Sequence, residues 1–508
     1  MSEQIRQAAV VIIGTGFGAM AAAANLRRRG IDDFLLLERR SFMGGTWQQN
    51  SYPGAAVDVQ SPLYSLSFEP YPWSRMFAGQ PELAGYTERV IARHGLAERT
   101  VLGAEVTGLE WDEPAGEWLI KTRQSGEFRG QFVINATGPL STPVVPDFPG
   151  KDSFAGPAFH TNDWDHSVPL AGARIAVVGS GASAAQVIPA IQPEVAELHV
   201  FQRSPHWVMP RPDREFSPFQ RRLVNAPVLR RVVRAAIYAG LETRIIGFKY
   251  SERMLNLVAR RRALKLIGSQ VADPELRRKV TPGYTIGCKR IILSNAYYPA
   301  LAAGNTTLHD AADGIDRIDR EGIWTVSGRR IPVDAIVWST GYDATDGLIP
   351  YPVTGRAGRG LAAFWADFPR AYLGTTVPGF PNLFLVTGPN TGIGHTSAIF
   401  VIEAQMEYIM RCIGEVRARG ATAIEVSEAA EAKYTRRIHA EMEQTVWKRG
   451  GCNSWYQSRD GHVTAMFPGF TFTYRRWAKR LQRSDHLLTW RGGSDQAPGA
   501  VPEAEVAA

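Results

Sequence analysis

One glycine pattern occurs twice in this chain, at Gly14-Thr15-Gly16-Phe17-Gly18-Ala19 and, 165 residues later, at Gly179-Ser180-Gly181-Ala182-Ser183-Ala184. Each copy follows a short apolar run and precedes an alanine-rich stretch, the order expected of a strand, a tight turn and a helix. Such a turn brings backbone N–H groups and a helix N-terminus against a pyrophosphate. Glycine at the first two positions permits the turn and the close approach. A small residue, Ala19 or Ala184, suffices at the third, where helix packs on strand. Two units of this design predict an α/β chain with two Rossmann-like dinucleotide-binding domains, and hence electron transfer between two nucleotides. Two unrelated structural glycine turns are the alternative.

The residues that end the next strands separate these readings. Phe34-Leu-Leu-Leu-Glu38 places a carboxylate about twenty residues beyond the first turn, where it can accept hydrogen bonds from ribose hydroxyls, as FAD or NAD requires. The matching place after the second turn has no acid. Arg203 and Ser204 stand there and suit the extra ribose phosphate of NADPH. Each unit is answered downstream by an apolar strand running into Thr-Gly, at Phe132 to Gly138 and at Ile336 to Gly341. Residues 1–145 and 342–491 are therefore expected to form one discontinuous domain, and residues 155–341 a second. Prolines between 139 and 150 mark the crossing, and residues 211–282 read as a helical insertion overhanging the active site. The tail, 492–508, rich in Gly, Ala, Pro and Glu, is expected to be disordered.

The net charge of +8 is concentrated in residues 211–270, which hold 14 Lys and Arg against 4 Asp and Glu. A basic segment of this kind suggests nucleic acid or an anionic membrane surface; no nucleic-acid-binding motif accompanies it, and a solvated helical surface, or one that attracts an anionic cofactor, is the plainer reading. The apolar run at 8–24 resembles a secretory signal, but its glycine turn fits a strand and helix better. No other segment reads as a membrane span. The three cysteines, at 288, 412 and 452, include no Cys-x-x-Cys, which argues against a disulfide framework and fits a reducing cytoplasm. Cys288 shows no evident partner, Cys412 reads as core, and Cys452 as a pocket or packing residue.

Between the two turns lies Phe154-Ala-Gly156-Pro-Ala-Phe-His160-Thr-Asn-Asp-Trp164-Asp165. It fills every fixed position of the pattern F-x-G-x-x-x-H-x-x-x-W-[P/D], and the chain thereby resembles the type I Baeyer–Villiger monooxygenases, within the class B flavin-dependent monooxygenases. A second pattern of that family is also complete: Gly44-Gly45-Thr46-Trp47, then Tyr52-Pro53-Gly54, then Asp58. The resemblance implies FAD in the first domain, NADPH in the second, and O2 and a small-molecule ketone as substrates, with no metal. It places Gly14, Gly16, Gly18, Ala19, Glu38, Thr46, Trp47, Asp58, Tyr64, Val106 and Ala398 around FAD. Gly179, Ser180, Gly181, Ser183, Ala184, Arg203, Ser204, Lys289, Arg290 and Trp455 fall to NADPH and the reacting centre.

Arg290, Asp58 and His160 form the catalytic set so implied. A guanidinium is always cationic, so Arg290 would keep a C4a-peroxyflavin deprotonated and then stabilise the oxyanion of its ketone adduct. Asp58 would orient Arg290, although an ordinary structural ion pair is the alternative. His160 and Trp164 would couple domain motion to cofactor position. The run from His395 reads as cofactor-loop structure rather than a general base. The expected reaction is oxygen insertion beside a ketone carbonyl to give an ester or lactone. S- or N-oxygenation of soft nucleophiles is the nearest rival, and the absence of Cys-x-x-Cys disfavours a disulfide reductase.

Overall fold

The computed structural model describes residues 5–491. The tail expected to be disordered, 492–508, lies outside the described residues. Arg6–Ile13 lies between Phe34–Glu38 and Glu127–Asn135 and runs parallel to both, with Ile13 opposite Leu37 and Asn135. Its Val10, Val11 and Ile12 are fully buried, as in a parallel strand covered on both faces. Thr100–Leu102 extends one edge, and Val106–Asp112 and Glu117–Thr122 add antiparallel strands on the other. Two strands from late in the chain join this sheet: Val353–Thr354 beside Val106–Asp112, and Leu383–Leu385 beside Glu127–Asn135.

The second sheet has five strands, all parallel. Arg174–Val178 is central, with Glu197–Phe201 and Thr306–His309 on one side and Ala335–Trp338 and Ala158–His160 on the other. Both glycine turns leave an interior strand of their sheet at its carboxyl end, the edge at which such folds bind nucleotides. Two Rossmann-like sheets were the expectation.

The stretch expected as a helical insertion carries the α-helices Pro218–Asn225, Pro227–Glu242, Glu252–Leu255, Arg261–Gln270 and Pro274–Val280. Their starts follow from local chemistry. Ser217 and Gln220 form a reciprocal capping box ahead of Pro218, and Asp273 caps the helix that begins at Pro274. The insertion packs on the segment after Asp58. Asp213 accepts from the Phe77 N–H and from Arg75, and Met76 N–H donates to Arg214 O. Among the described residues, no helix is long and apolar enough to cross a membrane.

The cysteines correct an expectation. Cys288 and Cys452 form a disulfide across 164 residues, with Cα atoms 6.2 Å apart. Pairing depends on two loops meeting in space, which neither the count nor the spacing reveals. Cys288 thus has a partner, Cys452 is more than a packing residue, and the cysteines no longer argue for a reducing compartment. Cys412 is core, as expected, and burial pushes its thiol up to about 12.

Candidate active site

The two glycine turns have the geometry of phosphate cradles. Gly14 and Gly179 sit at φ +99° and +130°, where a Cβ would come within 2.7 Å of Ala136 O and 2.2 Å of Ser339 O. Only glycine fits there. The second glycines differ: a Cβ on Gly181 would meet nothing within 4 Å, and one on Gly16 only Gly45 Cα at 3.7 Å. Gly16 and Gly181 also cap their helices, Phe17–Arg28 and Ala182–Ile191, without a side-chain acceptor or an acid in the first turn. The N-terminal N–H groups are therefore not taken by a side-chain cap, which suits a pyrophosphate at each turn. Ala19 and Ala184 are fully buried at the packing position, and Gly18 lies under Val386. Ser180 Oγ donates to Ser204 O, tying the second turn to the next strand end, and Ser183 lies beside Tyr52.

Glu38 is buried at the end of its strand. It accepts from Thr15 Oγ1 at 2.5 Å and from Arg40 N–H at 3.0 Å, one bond on each oxygen. Each oxygen keeps a lone pair for a ribose hydroxyl. In the other half Lys289 Nζ donates to Ser204 Oγ at 2.7 Å, with Arg203 alongside. Burial first, and then the Arg203 charge, hold Lys289 below its ordinary pKa. His206 is lowered to about 4 by burial and by the same two cations. A concentration of positive charge without a carboxylate suits a phosphate dianion.

Asp58 and Arg290 meet between these cradles. Arg290 Nε donates to Asp58 Oδ2 at 2.7 Å, and Nη2 donates to the same oxygen. The Asp58 carboxylate raises the Arg290 pKa above its ordinary value, against the opposing effect of burial. Among the described residues Nη1 has no acceptor. The Arg290 side chain keeps 40% of its surface open. Trp47 Nε1 donates to Tyr64 Oη at 3.2 Å, and burial pushes that phenol up to about 12. Thr46 begins the short helix that carries Trp47.

The other expected residues sit on several separate elements. Val106 starts its strand at a bulge, Ala398 is the first residue of the Ala398–Arg419 helix, and Trp455 packs on Tyr456 with centroids 4.5 Å apart. His160 is not in contact with Arg290 or Asp58. It ends the sheet's edge strand beside Trp338, accepts at Nδ1 from Asn162 N–H, and meets Tyr342 edge-on at 5.6 Å. Burial lowers it to about 4, so it is neutral. Trp164 packs against Phe159 and shares an apolar cluster with Tyr52 and Ala55.

Three features went unread in the sequence. Tyr456 is buried close to Arg290 and Asp58, which the pattern around Trp455 hints at by adjacency alone. Tyr52 Oη donates to Gln186 Oε1, and a Cβ on Gly54 would strike Gln186 O at 2.4 Å, so this segment seats closely on the helix after the second turn. Thr387 holds φ +57°, fixed by the bond from its N–H to buried Gln405 Oε1. His395 is buried, with Nε2 3.4 Å from Glu242 Oε2, and Glu242 accepts from Thr471 N–H and Oγ1.

Two dinucleotide cradles, with a carboxylate-held cation between them, define a nucleotide-dependent oxidoreductase. The sequence model described as pyridine nucleotide-disulphide oxidoreductase matches residues 11–241. A Baeyer-Villiger monooxygenase of Pseudomonas aeruginosa is 43% identical over 487 residues, 95% of this chain and 92% of that protein. A Baeyer-Villiger monooxygenase of Streptomyces coelicolor is 41% identical over 98% of this chain and 96% of its own length. Among solved structures, oxidized steroid monooxygenase bound to NADP superposes with TM-score 0.86 at 30% identity, covering 95% of this chain and 99% of that one. A complex of OTEMO with FAD and NADP gives TM-score 0.85 at 25% identity, covering 95% and 99%. This chain belongs to the Baeyer–Villiger monooxygenase family.

Proposed function

We propose that the protein binds FAD at the Gly14 turn and NADPH at the Gly179 turn, and uses O2 to convert a ketone into an ester or lactone. Residues 1–145 with 342–491 form the FAD-binding domain in this reading, and residues 155–341 the NADPH-binding domain. The observation that carries the reaction is the Arg290–Asp58 pair, in which Nη1 of the guanidinium has no acceptor among the described residues.

Bound FAD, reduced by NADPH, supplies the activated oxygen. The chain's own residues do the rest. Asp58 takes Nε and Nη2 and so fixes the plane of the guanidinium, leaving Nη1 for the reacting centre. Arg290 cannot lose its proton at any physiological pH, so it stabilises negative charge on the attacking oxygen and then on the former carbonyl oxygen. Trp47 and Tyr64 wall the flavin side and exclude water. Glu38 accepts from the FAD ribose, and Arg203, Ser204 and Lys289 hold the extra phosphate of NADPH. His160, neutral and remote from the pair, acts as a positioning residue at the strand end beside the NADPH turn.

The test is aerobic NADPH consumption against a ketone panel, with mass spectrometry of the products. Products sixteen daltons heavier that hydrolyse to an alcohol and an acid support the reading. Turnover of sulfides or amines, with no ketone converted, would replace it with heteroatom oxygenation.

A further inference from the structure

Three polar side chains of the Pro227–Glu242 helix face the protein, while its Arg231 is exposed. Arg234 donates to Pro62 O and to Ser65 Oγ and O, Tyr238 Oη pairs with Thr471 Oγ1, and Glu242 is buried on Thr471. Its apolar stripe, Val228, Val232, Ala235 and Ala239, recurs at helical spacing and faces outward, with Val228 75% and Val232 56% exposed. The preceding helix adds Phe219, 72% exposed, and Leu223. The Thr471–Ala478 helix adds Phe472, which with Tyr238 and Phe400 floors an open cavity of about 480 Å³. Arg476, Lys479 and Arg480 line the same cavity. Exposed apolar surface gathered on neighbouring helices in this way marks an interaction surface.

The charge around it selects the partner. Residues 216–241 and 470–484 contain no Asp or Glu. Among the described residues, no carboxylate lies within ion-pair distance of Arg222, Arg231, Arg476 or Arg480. A second copy of the same face would set these cations against one another. An apolar stripe among unpaired arginines instead matches a layer of acyl chains beneath anionic headgroups.

We propose that this face docks the protein reversibly on an anionic lipid bilayer, lying in the headgroup plane without crossing it. Val228, Val232, Phe219 and Phe472 sit at the acyl boundary, and the arginines lie among the headgroup phosphates. The docked helix is bonded to the Pro62–Ser65 turn that carries Tyr64.

The test is flotation of the FAD-loaded enzyme with phosphatidylcholine vesicles, with and without phosphatidylglycerol. Flotation is expected only with phosphatidylglycerol. It should fall roughly tenfold or more in a V228E/V232E variant and at about 1 M salt. Substrate-free NADPH oxidation by that variant stays at the wild-type level, which shows that it folds. Equal flotation of wild type and variant, or none with either vesicle, overturns the proposal. So does a dimer in sedimentation velocity that V228E/V232E dissolves while vesicles bind neither protein, which would assign the face to a second copy of the chain.

Discussion

Arg290 places two hydrogen bonds on one oxygen of Asp58, a residue 232 positions earlier in the chain. The two bonds fix the plane of the guanidinium, and in the proposed function the chemistry follows from this pair.

Removing the cation separates the two half-reactions. Arg290→Ala leaves flavin reduction by NADPH within a few-fold of wild type and lowers ester formation about 10²–10³-fold, as for loss of one oxyanion donor. Stopped-flow absorbance reads the first and product quantitation the second. Near-normal ester formation would show that Arg290 has been given the wrong role.

In the proposed function Arg203, Ser204 and Lys289 recognise the extra ribose phosphate. Lys289→Ala removes a charged donor that contributes about 1.5–3 kcal/mol, so the KM for NADPH rises roughly 10- to 100-fold. The KM for NADH changes little. Parallel initial-rate series with the two nucleotides decide it, and equal effects on both contradict phosphate recognition.

Cys288 and Cys452 join the loop of Lys289 and Arg290 to the loop of Trp455 and Tyr456. Unfolded without reductant, the protein presents one titratable thiol, Cys412, and three after reduction. Cys288→Ser lowers stability by about 2–4 kcal/mol, because the loop closed by the bond is long. Three thiols before reduction would mean that the bond does not form.

His160 and His309 are both lowered to about 4 by burial, against an ordinary 6.5. The unfolded chain binds a proton at these positions more readily than the folded one, so stability falls as pH drops from about 6.5 toward 4. At pH 5 each contributes about 2 kcal/mol of that loss. Thermal midpoints between pH 7 and pH 5 measure it. His160→Gln flattens the profile, and an unchanged slope would show that His160 does not titrate as a buried group.

The sequence by itself determined both cradles. Gly14, Gly16, Gly179 and Gly181, with Glu38 and Arg203 at the following strand ends, report local backbone geometry and the chemistry of a ribose, and both are written within about thirty consecutive residues. The patterns around Trp47, Asp58 and His160 marked the family for the same reason. The resemblance also named Asp58 as the partner of Arg290, and only the tertiary structure decided the rest of what depends on residues distant in the chain: the two bonds that Arg290 places on one Asp58 oxygen, Tyr456 beside them, Tyr52 against Gln186, and the Cys288–Cys452 bond that the cysteine spacing argued against. It also decided which face of Pro227–Glu242 looks outward. Helical periodicity reports that a stripe is apolar, while the side on which Arg234 and Glu242 find their partners is fixed by loops a hundred or more residues away.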